Sequence, residues 1–307
     1  MSIADRDGFI WLDGELVPWR EAKVHVLTHT LHYGMGVFEG IRLYETEKGP
    51  AVFRLADHVE RLCNSARIYR MKLPFSHQDI LEACLSVVRE NKLTAGYIRP
   101  VCIYGADKMG LQITDESKIQ VFIAAWPWNA YLGDEALEKG IRVKTSSYMR
   151  HHVDITLCKA KAIGNYTNSI LAHQEAKLCG YDEALLLDPQ GYVAEGSGEN
   201  IFIVRHGELL TPDLSSCLEG LTRDTIIRLA QDAGLTVHEK RITRDEVYIA
   251  DEAFFTGTAA EVTPICDVDA RPIGNGVPGP ITQKLQRLYF DQVHGKRKEY
   301  PEWFTFV

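Results

Sequence analysis

The segment DEALLLDPQGYVAEGSGENIFIVRHGELLTPD, residues 182–213, limits the possible folds more than any other stretch. Short apolar runs alternate with glycine-bearing turns every few residues, which is the pattern of strands reversing through tight turns. Strands joined this closely pair antiparallel, because parallel neighbours need a crossover of a dozen or more residues. FIWLDGELVPW (9–19, Asp13-Gly14 at the turn) opens the chain with the same signal. VFEGIRLYE, AVFRL, YIRPVCIYG and KIQVFIAAW read as further strands, and DEAFFTGTAAEVTPI as a strand followed by a Gly-Thr turn. Apolar residues recur at helical spacing in 56–70, 77–92, 169–180 and the TQKLQRLYFDQVHG segment. TRDTIIRLAQDAG (222–234) reads as another helix, with Thr222 as its N-cap and Gly234 as its stop. Strands and helices do not alternate one for one, so an α+β fold is expected rather than a doubly wound parallel sheet. The polar PWNAYLGDEALEKG (127–140) reads as a linker or active-site loop, which gives a domain at 1–126 and another at 141–307.

Bulk properties remove several classes. A chain of 307 residues, 45% hydrophobic and 25% charged, is an ordinary globular protein with room for one large or two moderate domains. Net charge is −8 and the longest basic run is HGKRK (294–298), which argues against nucleic-acid and anionic-membrane partners. The seven cysteines are odd in number and contain no CxxC, so neither a disulfide framework nor a zinc site is expected. His151 and His152 have no third ligand at metal spacing and read as ordinary polar residues, so no metal is expected. Cys158 lies near two lysines, but spacing does not reveal its reactivity. The N-terminal stretch lacks an apolar core, and no apolar run approaches the ~18 residues of a membrane span, so a cytoplasmic protein is expected.

Several residues have chemistry that composition does not explain. CKAKAIGNYTNS (158–169) places Lys159 and Lys161 among small and apolar residues. Residues two apart on an extended segment face the same side, so spacing does not choose between them. Gly220-Leu221-Thr222 at a helix start and the turn Thr256–Ala260 present backbone N–H groups beside a hydroxyl, which suits a phosphate but equally an ordinary cap. Arg61 has the forked donors a phosphate needs, or a surface ion pair. Glu195 ends a strand and precedes two glycines, and if buried it requires a cationic partner. An amine for a Schiff base, an acid for a ring nitrogen and donors for a phosphate are what pyridoxal 5′-phosphate requires. These residues suggest that cofactor without establishing it.

HVLTHTLHYGMGVFEGIR, FRLADHVERL, YIRP, GNYTNSILAHQEA, DEALLLDPQGYVAEGSGENIF, GLTRDTI and GTAAEVTPI together resemble the bacterial branched-chain amino acid aminotransferases. These are pyridoxal-phosphate enzymes of fold type IV, and the resemblance runs from about residue 8 to about residue 290. EGSGEN is common to the whole fold type, whereas YGMGVFEGIR and YIRP are particular to the branched-chain group. The resemblance implies a smaller N-terminal α/β domain and a larger C-terminal domain with a mostly antiparallel, barrel-like sheet. It implies Lys161 as the Schiff-base lysine and proton carrier, five residues before Tyr166, and leaves Lys159 without that role. Glu195 would pair with the pyridinium nitrogen and Tyr166 with the ring oxygen, while Arg61, Leu221, Thr222 and Thr258 would hold the phosphate. Tyr97 and the turn Thr258-Ala259 would meet the substrate α-carboxylate. Phe38, Gly40, Trp128, Tyr131 and Tyr166 would wall an apolar pocket, with Tyr33 and Leu111 donated by a second subunit. Arg99 would take the glutamate γ-carboxylate, unless it is tied up in a structural ion pair. The implied reaction is ping-pong transfer of the amino group from leucine, isoleucine or valine to 2-oxoglutarate by a homodimer or larger assembly. D-amino acid transaminases, R-selective amine transaminases and aminodeoxychorismate lyases share the fold type and are the nearest rivals. A non-catalytic small-molecule binding protein is the more distant one.

Overall fold

The computed structural model describes residues 2–128 and 133–307. The chain divides into two compact units: unit 1 takes in the N-terminal residues to Trp128, Ala160–Gly164 and His294–Val307, and unit 2 takes in the remainder.

Unit 1 starts with the hairpin of β1 (Phe9–Leu12) and β2 (Glu15–Pro18). Its turn residues Asp13 and Gly14 both have positive φ, 48° and 106°, as a tight hairpin with the sheet's own twist requires. The short helix α1 (His29–Tyr33) follows, then β3 (Gly36–Phe38), β4 (Ile41–Thr46) and β5 (Gly49–Phe53). Two helices, α2 (Leu55–Ile68) and α3 (His77–Glu90), precede the long hairpin of β6 (Gly96–Tyr104) and β7 (Ile119–Trp126). Every pairing in this sheet is antiparallel. The helices bury Leu55, Val59, Leu62, Ile80, Cys84, Val87 and Val88 against Ile41, Leu43, Ile98 and Ile123 of the sheet.

VFEGIRLYE reads as one strand but forms two, and the reason is visible in the register. Phe38 lies opposite Val101 and Ile41 opposite Ile98, so Glu39 and Gly40 face Arg99 and Pro100. Proline has no N–H to donate across the ladder, and the partner strand opens there. The Glu39 N–H still donates to the Pro100 carbonyl at 2.9 Å. This gap sets the direction of Glu39, Gly40 and Arg99.

Unit 2 holds a second sheet. Helix α4 (Asp134–Lys139) occupies the described end of the 127–140 segment, where a loop is expected. Glycines at positive φ bracket it (Gly133, 88°; Gly140, 80°), and good helix formers with a Lys139–Glu135 pair at i,i+4 fill it. Then come β8 (Ile141–Thr145), α5 (Tyr166–Leu178), β9 (Glu183–Leu187), β10 (Val193–Gly196), β11 (Asn200–Arg205), β12 (Glu208–Thr211) and α6 (Leu221–Asp232). After them come β13 (Val237–Glu239), α7 (Arg244–Tyr248), β14 (Glu252–Gly257), β15 (Glu261–Val268), β16 (Arg271–Pro272) and α8 (Pro280–Val293). Strand order is β10-β9-β8-β15-β14-β11-β12-β13, with β16 beside β15. Pairing is antiparallel except where β8 joins β9 and β15 and where β13 joins β12. Helices α6 and α8 cover β14 and β15, and α5 covers β9. A last strand, β17 (Phe304–Phe306), returns to unit 1 and pairs with β5. No helix among the described residues is long and apolar enough to cross a membrane.

Candidate active site

The two lysines that spacing could not separate have different surroundings. The Lys159 ammonium belongs to unit 2, where it bonds the Leu214 carbonyl and the Glu219 carboxylate, the latter at 3.2 Å. Lys161 lies in the short segment that unit 1 takes in, seated along β3. Phe38 N–H donates to the Lys161 carbonyl at 3.1 Å, Val37 bridges Ala162, and the Lys161 N–H donates to Ser65 Oγ on α2 at 3.0 Å. Glycine makes this seat possible: a Cβ on Gly36 would come within 2.7 Å of Ile163 Cδ1. The Lys161 backbone is thus bonded on both sides, and its Nζ lies 5.2 Å from the centre of the Phe38 ring.

The Phe38 ring also meets Arg99, whose Cζ is 4.7 Å from the ring centre. The guanidinium lies 5.3 Å from the Tyr97 ring and donates to the Tyr97 hydroxyl at 3.1 Å. No carboxylate among the described residues pairs with Arg99, and its buried Nε has no partner. The expected alternative of a structural ion pair is therefore not what holds it. Gly40 leaves room for Tyr97, since a Cβ there would be 1.7 Å from the hydroxyl. Trp128 packs edge-on to Tyr97 at 4.4 Å, and its carbonyl accepts from Arg42 at 2.9 Å. Tyr33 and Leu111 are exposed, 43% and 88%, and are neighbours, because the Tyr33 hydroxyl accepts the Gly110 N–H at 3.2 Å. Tyr131 lies outside the described residues.

Arg61, on α2, is not a surface cation. Its Nε and Nη2 bond Glu39 at 2.6 and 2.9 Å, and Glu39 is fully buried. The His58 Nδ1 reaches the same carboxylate at 2.7 Å. Burial alone would push the Glu39 carboxyl up, but the charges of Arg61 and His58 and their hydrogen bonds outweigh it and hold it well below the carboxylate range. Burial holds His58 below the ordinary histidine range. Glu39 and His58 have no role assigned by motif, because the register that sets Glu39 opposite Pro100 is a property of the paired strands.

Unit 2 carries the remaining residues. The β10–β9 register slips between Val193 and Glu195, a bulge of the kind that re-aims a side chain. Glu195 is buried; Arg150 Nε lies 2.6 Å from its Oε1, and Leu218 N–H and Asn200 Nδ2 reach its Oε2 at 3.2 and 3.5 Å. Arg150 is a second residue that sequence reading passed over. Its neighbour His151 has no partner at either ring nitrogen among the described residues, and burial, then the Arg150 charge, pushes it down to about 4. His152 accepts from Asp154 N–H, and Cys158 is buried with its thiol pushed up by that burial. Tyr166 begins α5, next to Asn165, a buried amide with no partner at either atom among the described residues. The N-cap of helix α6 lies two residues earlier than expected: it is Gly220, and Thr222 lies buried within the first turn. The contrast with α8 is informative, because Glu252 takes its first N–H groups, from Ile281 and Thr282, at 3.0 and 2.6 Å. Gly220 has no side chain to do this for α6, and the start of that helix suits an external anion. Thr258 and Ala259 form the half-buried turn between β14 and β15.

Each unit carries groups of the kind a phosphorylated aldehyde cofactor needs. Unit 1 has an amine and a guanidinium held by Glu39, and unit 2 has a buried carboxylate beside a buried cation and a helix start without a side-chain cap.

Comparison with known proteins gives the class. The family model described as amino-transferase class IV matches residues 36–268, and the chain belongs to that family. It is 60% identical over 307 residues, covering all of both chains, to the branched-chain-amino-acid aminotransferase of Pseudomonas aeruginosa. The fold is shared with the crystal structure of the Escherichia coli branched-chain amino acid aminotransferase, at TM-score 0.95 and 46% identity over 97% of this chain and 99% of the other. The branched-chain amino acid aminotransferase of Thermobaculum terrenum, solved in its PLP-bound holo form, matches at TM-score 0.90 and 38% identity over 97% of each chain.

Proposed function

We propose that this chain is a branched-chain-amino-acid aminotransferase that uses pyridoxal 5′-phosphate to move the amino group of leucine, isoleucine or valine to 2-oxoglutarate. Full-length similarity supports the activity, and one observation in the structure carries the reading to particular atoms. The Phe38 ring has the Lys161 amine at 5.2 Å and the Arg99 guanidinium at 4.7 Å. A nucleophilic amine and a cation without a carboxylate thus share one aromatic wall, as a substrate that is both an amine and an acid requires.

When bound, the cofactor supplies an aldehyde that captures amines and a ring that spreads the charge left on Cα. Lys161 would hold that aldehyde, and its amine would serve as the base and acid that moves the substrate's Cα proton. Glu195, 2.6 Å from Arg150, would face the ring nitrogen and favour its protonated form, and Tyr166 would donate to the ring oxygen. By the family resemblance, Arg61, the Leu221 N–H, Thr222 and Thr258 would each contribute to holding the phosphate. By the family resemblance, Tyr97 and the Thr258-Ala259 turn would each meet the α-carboxylate. Phe38, Gly40 and Trp128 would enclose the aliphatic side chain, where each buried methylene contributes about 0.8 kcal/mol. Arg99, with the Tyr33 hydroxyl, receives the γ-carboxylate of glutamate in the second half-reaction. The exposed Tyr33 and Leu111 serve a second copy, so the working enzyme is at least a homodimer. The seven free cysteines suit a reducing compartment, the cytoplasm.

The visible spectrum of the holoenzyme tests this. L-Leucine should bleach the absorption of the lysine-bound cofactor and 2-oxoglutarate should restore it. Bleaching by D-alanine but not by L-leucine would replace the reading with a D-amino acid enzyme of the same family.

A further inference from the structure

Arg61 is given a phosphate to hold, and Glu39 decides how it can do so. The carboxylate takes Nε through Oε1 at 2.6 Å and Nη2 through Oε2 at 2.9 Å, a bidentate pairing that uses one whole edge of the guanidinium. A planar fork held along one edge has its other edge, the one bearing Nη1, fixed in direction as well. Glu39 cannot turn to follow a moving arginine. Its Oε2 also meets His58 Nδ1 at 2.7 Å and the Gly40 N–H at 3.2 Å. Its own N–H is tied to the Pro100 carbonyl at 2.9 Å. His58 and Arg61 lie one turn apart on α2, so the helix presents both to the same carboxylate.

We propose that Glu39 is a positioning residue: it locks Arg61 so that the Nη1 edge binds the cofactor's phosphate, and it thereby sets the preference for the phosphorylated cofactor. The proposal rests on the reading of Arg61 as a phosphate ligand. It has a consequence that runs against simple electrostatics. Glu39 offsets the Arg61 charge, so neutralising Glu39 adds net positive charge near a dianion, and Coulomb attraction alone predicts tighter binding. Positioning predicts weaker binding, because the arginine is released from its fixed orientation. The two effects differ in sign.

The test uses the full-length apoenzyme and compares dissociation constants for pyridoxal 5′-phosphate and for pyridoxal, which lacks the phosphate. The ratio cancels any general damage to the fold or to Lys161. Glu39→Gln should cut the preference for the phosphorylated form about tenfold, the low end of what losing an orienting outer partner costs. Arg61→Ala should cut it about a hundredfold, as expected for a charge-assisted pair. Glu39→Asp, which keeps the charge but shortens the reach, should resemble Glu39→Gln and serves if the glutamine variant does not fold. An unchanged or increased preference in Glu39→Gln or Glu39→Asp, with Arg61→Ala still defective, would overturn the positioning role and leave the phosphate reading intact. An unchanged preference in Arg61→Ala would overturn both.

Discussion

Each unit buries an arginine–glutamate pair, and the two are built for opposite ends. In unit 1 the arginine is the proposed working group, and Glu39 grips it through two aligned hydrogen bonds. In unit 2 the glutamate is the proposed working group, and Arg150 approaches Glu195 at 2.6 Å without its Nε–H pointing along a hydrogen bond. A donor that must aim at a ligand needs a partner that fixes its plane. An acceptor that must stay charged in a buried place needs a compensating charge more than a directional lock. On the proposed reading the same pair of side chains does two kinds of work, and the two geometries differ accordingly.

The comparison can be broken most sharply at Glu195. Glu195→Gln, assayed at saturating cofactor, should lower kcat by roughly a hundredfold to ten-thousandfold, the usual range for a lost proton-holding group. Glu39→Gln under the same saturation should keep most of its kcat, because its effect is on cofactor retention. Equal kcat losses in the two variants would erase the distinction. A smaller effect is expected on stability: Arg150→Met leaves Glu195 buried without its cation and should cost about 3–5 kcal/mol in denaturant unfolding. Adding Glu195→Gln to that variant should recover much of the loss, and failure to recover it would mean that Arg150 acts through other contacts.

Arg99 provides a test outside the pairs. Arg99→Ala should raise the KM for glutamate about 10- to 100-fold, the cost of one charged hydrogen-bonded contact, while leucine changes less. Loss of leucine turnover with glutamate intact would contradict the assignment.

The smallest expected effect concerns two histidines of unit 2. The hydrogen bond to the buried Glu183 raises His173 above its ordinary 6.5. A histidine that binds its proton more tightly when folded stabilises fully below that value, and the contribution fades as pH rises through the folded pKa. His151, pushed down to about 4, does the reverse and penalises the fold as pH falls below 6.5. Unfolding midpoints of His173→Gln and wild type should converge as pH rises above neutrality. A gap that widens there would show that the sign is wrong.

Much of this architecture is legible in local pattern. The Asp13-Gly14 hairpin, the amphipathic α2 and α3 and the strands of 182–213 follow from periodicity and turn chemistry, which are properties of neighbouring residues. What sequence reading missed depends on distant partners. Glu39 lies 22 residues from Arg61, and its role arises from a strand gap opposite Pro100 on another strand. Arg150 precedes Glu195 by enough chain that no short motif joins them. Helix α4 was hidden by its polar composition, and the α6 cap moved from Thr222 to Gly220 because the threonine is buried within the turn. Family resemblance named Lys161, but only the surroundings of the two lysines give a physical reason: one is occupied by Glu219, and the other is seated on β3 beside Phe38.

The most direct measurement is borohydride reduction of the holoenzyme followed by proteolysis and mass mapping of the pyridoxyl label. The account predicts the label on Lys161 alone. A label on Lys159, or on no lysine of residues 158–169, would contradict it.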